Sequence, residues 1–355
     1  MGGVAVGRVT LQTIADRVGV SRMTVSNAFS RPDQLSPTMR DRILAVADEL
    51  GYVGPDPAAR ALARGTTGAV GILLTESLSG AFADEVATTF LGAIADELAP
   101  TGLGLTLLST DTAGAVVPAR DVAMDGALVY SCDPESTAVD WLLRRKMPLV
   151  YIDQVPADGV PAVNVADRAG ARAAAQHLVD LGHRRVGIVT SGVRGQHGIV
   201  TPDDIVDGFV GAQRLSGWLD ALTPAGIVPP IAREPHGSPE SGYQAARMLL
   251  SAPEPPTAIL CFSDAMAQGV ISAAVDAGLS VPDGLSVVGF DDSPGSARLR
   301  PPLTTVRQDI QAKGHAAAAA LTQAIEAART GGPALAEHLC LPTELIVRAS
   351  TAAPH

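Results

Sequence analysis

Aromatic side chains make up only 3% of this 355-residue chain, and it has only three cysteines. So few rings exclude rows of aromatics on which bases or sugars would stack, and leave Ala, Val and Leu to fill the core. Cys132, Cys261 and Cys340 are widely spaced, odd in number and without a CxxC pair. That pattern excludes a disulfide scaffold and points to reduced, mostly buried thiols in a cytoplasm. The start, MGGVAVGR, lacks a charged residue followed by a long apolar run, so no signal peptide is expected. The apolar stretch from His315 to Ala328 is interrupted by Gln323 and Glu326, and reads as an Ala-rich packed helix, not a membrane span. HExxH, GxSxG, GxxxxGK and GxGxxG are all missing, and the seven histidines show no metal-ligand spacing. Nothing here points to an enzyme, a metal site or a cofactor.

The charge is unevenly spread. The formal net charge of −11 argues against a protein that coats nucleic acid along its whole surface. Residues 1–65, however, hold eight arginines against six acidic residues, so the remainder carries the whole negative excess. An acidic body repels DNA, and any DNA contact is expected from the start of the chain. The length suits a small head followed by a large α/β body.

The head begins with TLQTIADRVGVSRMTVSNAF, Thr10 to Phe29. Ile14, Val18, Val20 and Val25 supply the apolar side of two helices, and Ala15 stands where a larger side chain would push them apart. Gly19 suits a left-handed turn. Thr10 and Ser21 are good N-caps, and Ser36-Pro37 starts a third helix to Leu50 with Ile43, Val46, Ala47 and Leu50 at helical spacing. Taken alone, this is either a DNA-reading unit or a three-helix unit for protein contacts. The second helix favours DNA: Arg22, Met23, Thr24, Ser26 and Asn27 mix base-reading and phosphate-reading types with no acidic residue.

These residues resemble the helix-turn-helix of the lactose-repressor (LacI/GalR) family of bacterial transcription regulators. The likeness continues through YVGPDPAARALARG, Tyr52 to Gly65, which in that family is the hinge helix. The resemblance implies a helix that orders when a dimer sits on its operator, with a Leu from each copy wedged into the minor groove. Here that position is Leu62, with Ala58 and Ala59 permitting close approach. The stretch between Tyr52 and Ala58 is one residue longer than in many relatives, near Gly54. Arg22, Met23 and Asn27 are expected at base edges, Asn27 on adenine and Arg22 on guanine. Ser21, Thr24 and Ser26 suit phosphates. One head makes few contacts, so a dimer on a pseudo-palindromic operator is expected.

From Ala69 strands alternate with helices. Strands are expected at 69–74, 103–108, 126–130, 148–152, 185–190 and 257–262, near 228–233, and at 285–290. Helices are expected at 82–99, 135–145, 167–181, 205–222, 239–250 and 265–277. Near-continuous apolar strands imply parallel sheets covered on both faces, and two series of them suggest two lobes with a cleft between. GHRRVGIVTS (182–191), RLSGW (214–218), SVVGFDDS (286–293) and PPLTTVRQD (301–309) resemble landmarks of the same family in their usual order. They imply the type I periplasmic-binding-protein fold, whose lobes are joined by three chain crossings. The expected fold is therefore multi-domain: an all-α helix-turn-helix head plus an α/β periplasmic-binding-protein-like effector domain of two lobes. Its expected domains are a DNA-binding domain at 8–53, a hinge at 54–67 and an effector-binding and dimerisation domain at 68–350.

Open α/β sheets bind ligands at strand C-terminal ends. Asp153 follows PLVYI, Asp291 follows SVVGF and Ser263 follows AILCF. The resemblance places Asp153, Arg214, Ser263, Asp291 and Gln308 at effector-contact positions. Several relatives carry Asn where Ser263 stands. Carboxylates with a guanidinium suit hydroxyl groups, and Phe82 with Tyr130 or Phe262 offers rings to a sugar or base. Asp264 is expected to cap the next helix, and 191–213 to form a lid or a surface loop. HLCLPTELIVRAS, 338–350, reads as one closing strand. No heptad tail follows it, so a homodimer is the default.

The expected function is a cytoplasmic DNA-binding transcriptional regulator, a repressor whose operator affinity is set by a sugar or nucleoside-like effector. The alternative is a DNA-binding regulator that answers to a protein partner or to no ligand.

Overall fold

Three hydroxyl side chains set the starts of the head helices. The computed structural model describes residues 9–74, 78–110, 117–132, 136–205, 208–332 and 337–355. MGGVAVGR, the expected domain start at residue 8 and the expected helix start at Glu135 lie outside them. Thr10 caps α1 (Leu11–Val18) by accepting from the Thr13 amide. The Ser21 hydroxyl accepts from the Thr24 amide at 3.0 Å and starts α2 (Arg22–Ser30). Ser36, followed by Pro37, caps α3 (Pro37–Glu49). Each cap satisfies an amide that the helix leaves unpaired and contributes about 1 kcal/mol. Gly19 turns the chain at φ +78°, where a Cβ would be strained. Ile14, Ala15, Val18, Val25, Ala28, Ile43 and Ala47 are buried together. Phe29 meets Tyr52 edge-on at 5.6 Å.

The short helix α4 (Pro57–Arg64) follows. The Asp56 carboxylate accepts from the Ala58 and Ala59 amides, and Gly65 ends the helix at φ +69°. Leu62 is 87% exposed. Eight residues fall short of the roughly 12–15 that hold an isolated helix in water. Residues 1–68 and 69–355 form two compact units.

In the second unit the chain runs β1 (Ala69–Leu74), α5 (Leu78–Ala83), α6 (Glu85–Leu98), β2 (Gly104–Ser109), α7 (Pro118–Asp121), β3 (Ala127–Tyr130), α8 (Thr137–Arg144), β4 (Leu149–Ile152) and β5 (Ala162–Val165). It continues through α9 (Asp167–Asp180), β6 (Val186–Ser191), β7 (Gly198–Val200), α10 (Phe209–Leu222), β8 (Ile231–Glu234), α11 (Pro239–Leu250), β9 (Ala258–Cys261), α12 (Asp264–Asp276), β10 (Ser286–Asp291) and β11 (Thr304–Gln308). It ends with α13 (Ile310–Thr330), β12 (His338–Leu341) and β13 (Thr343–Ile346). One sheet has the order β12-β5-β4-β3-β1-β2 and is parallel throughout. The other has the order β13-β11-β10-β9-β6-β8-β7, with antiparallel strands only at its two edges. The chain passes between the sheets after β5, after β11 and after β12. Three crossings thus make two lobes, each discontinuous in sequence.

The lobes are close-packed by small residues. A Cβ on Gly217 would stand 2.2 Å from the Arg168 carbonyl oxygen, so glycine is what lets α10 lie directly on α9. Trp218, next to it, is buried against Ala171, Ala174 and Leu178.

Several expectations need correcting. The helix expected at 82–99 is two helices, because Asp84 breaks the run and caps α6 through the Val86 amide at 2.9 Å. The closing stretch expected as one strand divides at Pro342. Its first half pairs with β5 and its second half with β11, in different sheets. Between 191 and 205 the long segment is an added edge strand: β7 pairs with β8, and the buried Arg233 guanidinium donates to the carbonyls of Arg194 and Gln196 at 2.6 and 3.0 Å. Residues 206–207 lie outside the described residues.

Candidate functional site

On α2, Arg22 and Met23 are exposed, Met23 at 69%. Thr24, Ser26 and Asn27 are half-buried. Val25 and Ala28 face the core, so the opposite side of the helix is what the head presents. The Ser21 hydroxyl is engaged as the cap and bonds the Thr24 hydroxyl at 2.8 Å. The Asn27 amide donates to Gln34 at 3.1 Å, which holds it in one orientation. Ala59 and Leu62 are both exposed on α4.

The second unit brings its polar residues to strand C-terminal ends. Asp153 follows β4, Asp291 ends β10 and Gln308 ends β11. Asp153 has φ +54° and Asp291 φ +112°, conformations that side chains avoid and that collect at functional sites. A chain of buried hydrogen bonds links them. The Lys313 ammonium donates to Asp153 Oδ2 at 2.6 Å and to Gln308 Oε1 at 2.9 Å. Gln308 Nε2 donates to Asp291 Oδ1 at 2.7 Å. Arg214 Nη2 donates to that same oxygen at 3.3 Å, Nε to Asp167 Oδ1 at 2.8 Å, and Nη1 to the Phe262 carbonyl at 2.5 Å. The guanidinium lies 3.6 Å from the Phe290 ring centre and 4.8 Å from that of Phe262. Lys313 stands beside a stacked pair, Phe90 and Tyr130, whose ring centres are 4.7 Å apart.

Burial and crowding shift the acids. Burial, with the nearby Asp291 charge, pushes Asp264 up to about 8. Burial pushes Asp291 up to about 6, while Arg214 and Gln308 hold it back. Both carboxyls therefore keep protons in the fold that the unfolded chain, with a carboxyl near 3.9, has already released. Stability should fall as pH rises above about 4, up to about 6 for Asp291 and about 8 for Asp264, by up to about 1.4 kcal/mol per pH unit for each proton held. His177 and His183 act on the other side. Burial lowers both, so their contribution is lost as pH falls below about 6.5. Urea midpoints at pH 7.0, 7.5 and 8.0, where Asp264 is the acid still losing its proton, should decline in that order; a flat or rising series would show Asp264 ionised throughout.

Of the residues named from sequence, Asp153, Arg214, Asp291 and Gln308 join this chain directly, and Tyr130 lies beside it. Ser263 instead accepts from the Met266 amide at 3.2 Å and caps α12, the task expected of Asp264. Asp264 is buried and accepts from the Thr305 hydroxyl and the Ser293 amide. The Ser hydroxyl reaches an amide three residues on, whereas Asp264 already lies inside the helix. Phe82 sits on α5, 60% exposed and outside the hydrogen-bond chain. Sequence reasoning missed Lys313, Asp167, Phe90 and Phe290. Lys313 did carry a signal: it is one of two lysines in the chain, set in an Ala-rich helix. Among the described residues, no group of three His, Cys, Asp or Glu could hold a metal ion. No helix among them is long and apolar enough to cross a membrane.

Comparison with known proteins covers both units. Residues 10–54 match the family described as bacterial regulatory proteins, lacI family, and residues 175–351 match the periplasmic binding protein-like domain. The chain is 36% identical to an HTH-type transcriptional regulator of Mycobacterium tuberculosis, over 98% of each protein. It is also 36% identical to the HTH-type transcriptional regulator IpsA of Corynebacterium glutamicum, over 89% of this chain and 91% of that one. The crystal structure of the lac repressor dimer bound to operator and the anti-inducer ONPF is similar at TM-score 0.78 and 27% identity, covering 97% of this chain and 99% of that one. The CelR–cellobiose complex is similar at TM-score 0.68 and 27% identity, covering 97% and 100%. A likeness that runs unbroken from the capped head helices through both lobes has one meaning: the chain belongs to the LacI family of bacterial regulatory proteins.

Proposed function

We infer that this protein is a cytoplasmic repressor that binds a pseudo-palindromic operator as a homodimer and has no catalytic role. A sugar or nucleoside-like effector, held between the lobes, sets its operator affinity. The observation that carries this reading is one chain holding two sites: an acid-free, outward-facing α2 and a buried polar chain at the strand ends. The lac repressor and CelR complexes, with operator and cellobiose respectively, support it by likeness. Arg22, Met23 and Asn27 read bases, while Ser21, Thr24 and Ser26 meet phosphates. Ala59 allows the hinge helix to approach, and Leu62 enters the minor groove. Asp153, Arg214, Asp291 and Gln308 face the effector with Tyr130, Ser263 and Phe82 around it. The two-lobed body transmits its occupancy because the ligand contacts differ between lobe arrangements.

The test is selection of fragments of the source genome by the purified protein. A single pseudo-palindromic site should be enriched. Affinity for it should fall by about 10³–10⁵ between 50 and 200 mM salt, as expected when 6–10 phosphates are neutralised. No enrichment, or a salt-independent affinity, would sink the DNA-binding reading.

A further inference from the structure

Lys313 lies 1% exposed on α13, bonded to two of the residues read above as effector contacts. Its ammonium is committed to Asp153 Oδ2 and Gln308 Oε1. All three guanidinium nitrogens of Arg214 are likewise committed, to Asp167, Phe262 and Asp291. Both cations are thus ion-paired within the protein, with one N–H of Lys313 and two of Arg214 left over. Three buried acids are bonded to them: Asp153, Asp167 and Asp291. Among the described residues, Asp153 Oδ1 and Asp167 Oδ2 are buried with no hydrogen-bond partner, as is Gln154 Oε1 in the next residue along from Asp153. Each is an acceptor. Native proteins seldom leave such atoms unpaired, so the missing groups are donors.

We propose that Lys313 is a specificity-determining residue that fits the cleft to uncharged, hydroxyl-rich ligands and closes it to phosphorylated or carboxylated ones. This rests on the effector-cleft reading above. By tying one Asp153 oxygen, the ammonium fixes the direction of the other, which accepts from a ligand hydroxyl. An anionic ligand brings acceptors and negative charge to a place where three buried acids face two cations and two carboxylate oxygens already lack a donor. Lysine suits the position because a compact ammonium fits beside the Phe90–Tyr130 stack and between two acceptors, where a planar guanidinium would need a wider opening. Without Lys313, Asp153 faces the ligand as an uncompensated carboxylate, and a ligand amine takes the ammonium's place.

The experiment uses the full-length protein and matched sets of probes: glucose, galactose, ribose, cellobiose and sorbitol; glucose 6-phosphate, galactose 6-phosphate, ribose 5-phosphate and gluconate; glucosamine and galactosamine. Thermal shift and calorimetry should find binding confined to neutral members, with the anionic counterpart at least 100-fold weaker. Lys313→Met should bind that neutral compound at least tenfold more weakly and prefer an amino sugar over its neutral parent. Binding of a phosphate or carboxylate counterpart within tenfold of its neutral parent would overturn the proposal. So would no binding by any neutral member, or a Lys313→Met affinity within threefold of wild type. If Lys313→Met does not fold by circular dichroism, the wild-type comparison stands by itself. Lys313→Arg then supplies the second variant, expected to lose neutral affinity tenfold; retained affinity overturns the role of Lys313. Operator binding measured on the same preparation separates the failures. Specific DNA binding with the wrong ligand class defeats this proposal alone, whereas loss of specific DNA binding defeats the function it rests on.

Discussion

Arg214→Met should destabilise the two-lobed unit by about 3–5 kcal/mol, the cost of leaving buried charges without their partner. Arg214 is 4% exposed and is bonded to Asp167, Asp291 and the Phe262 carbonyl at once. Methionine fills much of the same volume between Phe262 and Phe290, so the loss reports charge and hydrogen bonding more than a cavity. For a unit of this size it corresponds to a fall of roughly 10 °C in Tm. Arg214→Lys should give little relief, because one ammonium cannot reach three acceptors on different sides. The triple variant Arg214→Met, Asp167→Asn, Asp291→Asn should recover most of the stability, since it removes the buried charges together. Fluorescence of Trp218, one turn further along the same helix, gives the readout. A single variant that unfolds like wild type would mean that the ion cluster contributes nothing net, and a triple variant no better than the single would move the loss to packing.

Leu62→Ala should weaken specific operator binding by roughly 100-fold. An apolar wedge the size of leucine is worth about 1.5–3 kcal/mol when buried, and the proposed homodimer would insert two; every 1.4 kcal/mol is about tenfold in affinity. The exposed Leu62 packs on little of its own chain, so its removal leaves the head core untouched. Alanine is the best helix former, so α4 keeps its helical preference and its caps at Asp56 and Gly65. Binding to non-specific DNA and its salt dependence should stay as they were, because those depend on phosphates. Gel shifts with operator and scrambled duplexes distinguish the two. Unchanged operator affinity would remove Leu62 from the hinge role.

Legibility from sequence follows the range of the interactions involved. The caps at Thr10, Ser21 and Ser36, the turn at Gly19 and the apolar spacing of Ile14, Val25 and Ile43 all act within a few residues. The sequence therefore carries them openly. The same holds for β1, β3, β4 and β10, whose apolar runs announce strands buried on both faces. Asp84 shows the limit, because a helical apolar pattern continued across it while its carboxylate started a new helix. Ser263 and Asp264 show another, since either side chain is a good cap and only the backbone at Ser263 decides which acts.

By itself the sequence determined the head, the alternation of strands and helices, the family and four of the residues in the buried polar chain. Tertiary structure decided who meets whom. HLCLPTELIVRAS looks like one strand by periodicity, yet Pro342 marks a crossing and its halves join different sheets, because pairing partners are chosen by neighbours far away in the chain. Lys313 and Asp153 are separated by 160 residues, and Arg214 and Asp167 by 47. No local pattern encodes such pairs. A buried charge is tolerated only where the fold supplies its counter-charge, and that supply exists only once the chain has folded.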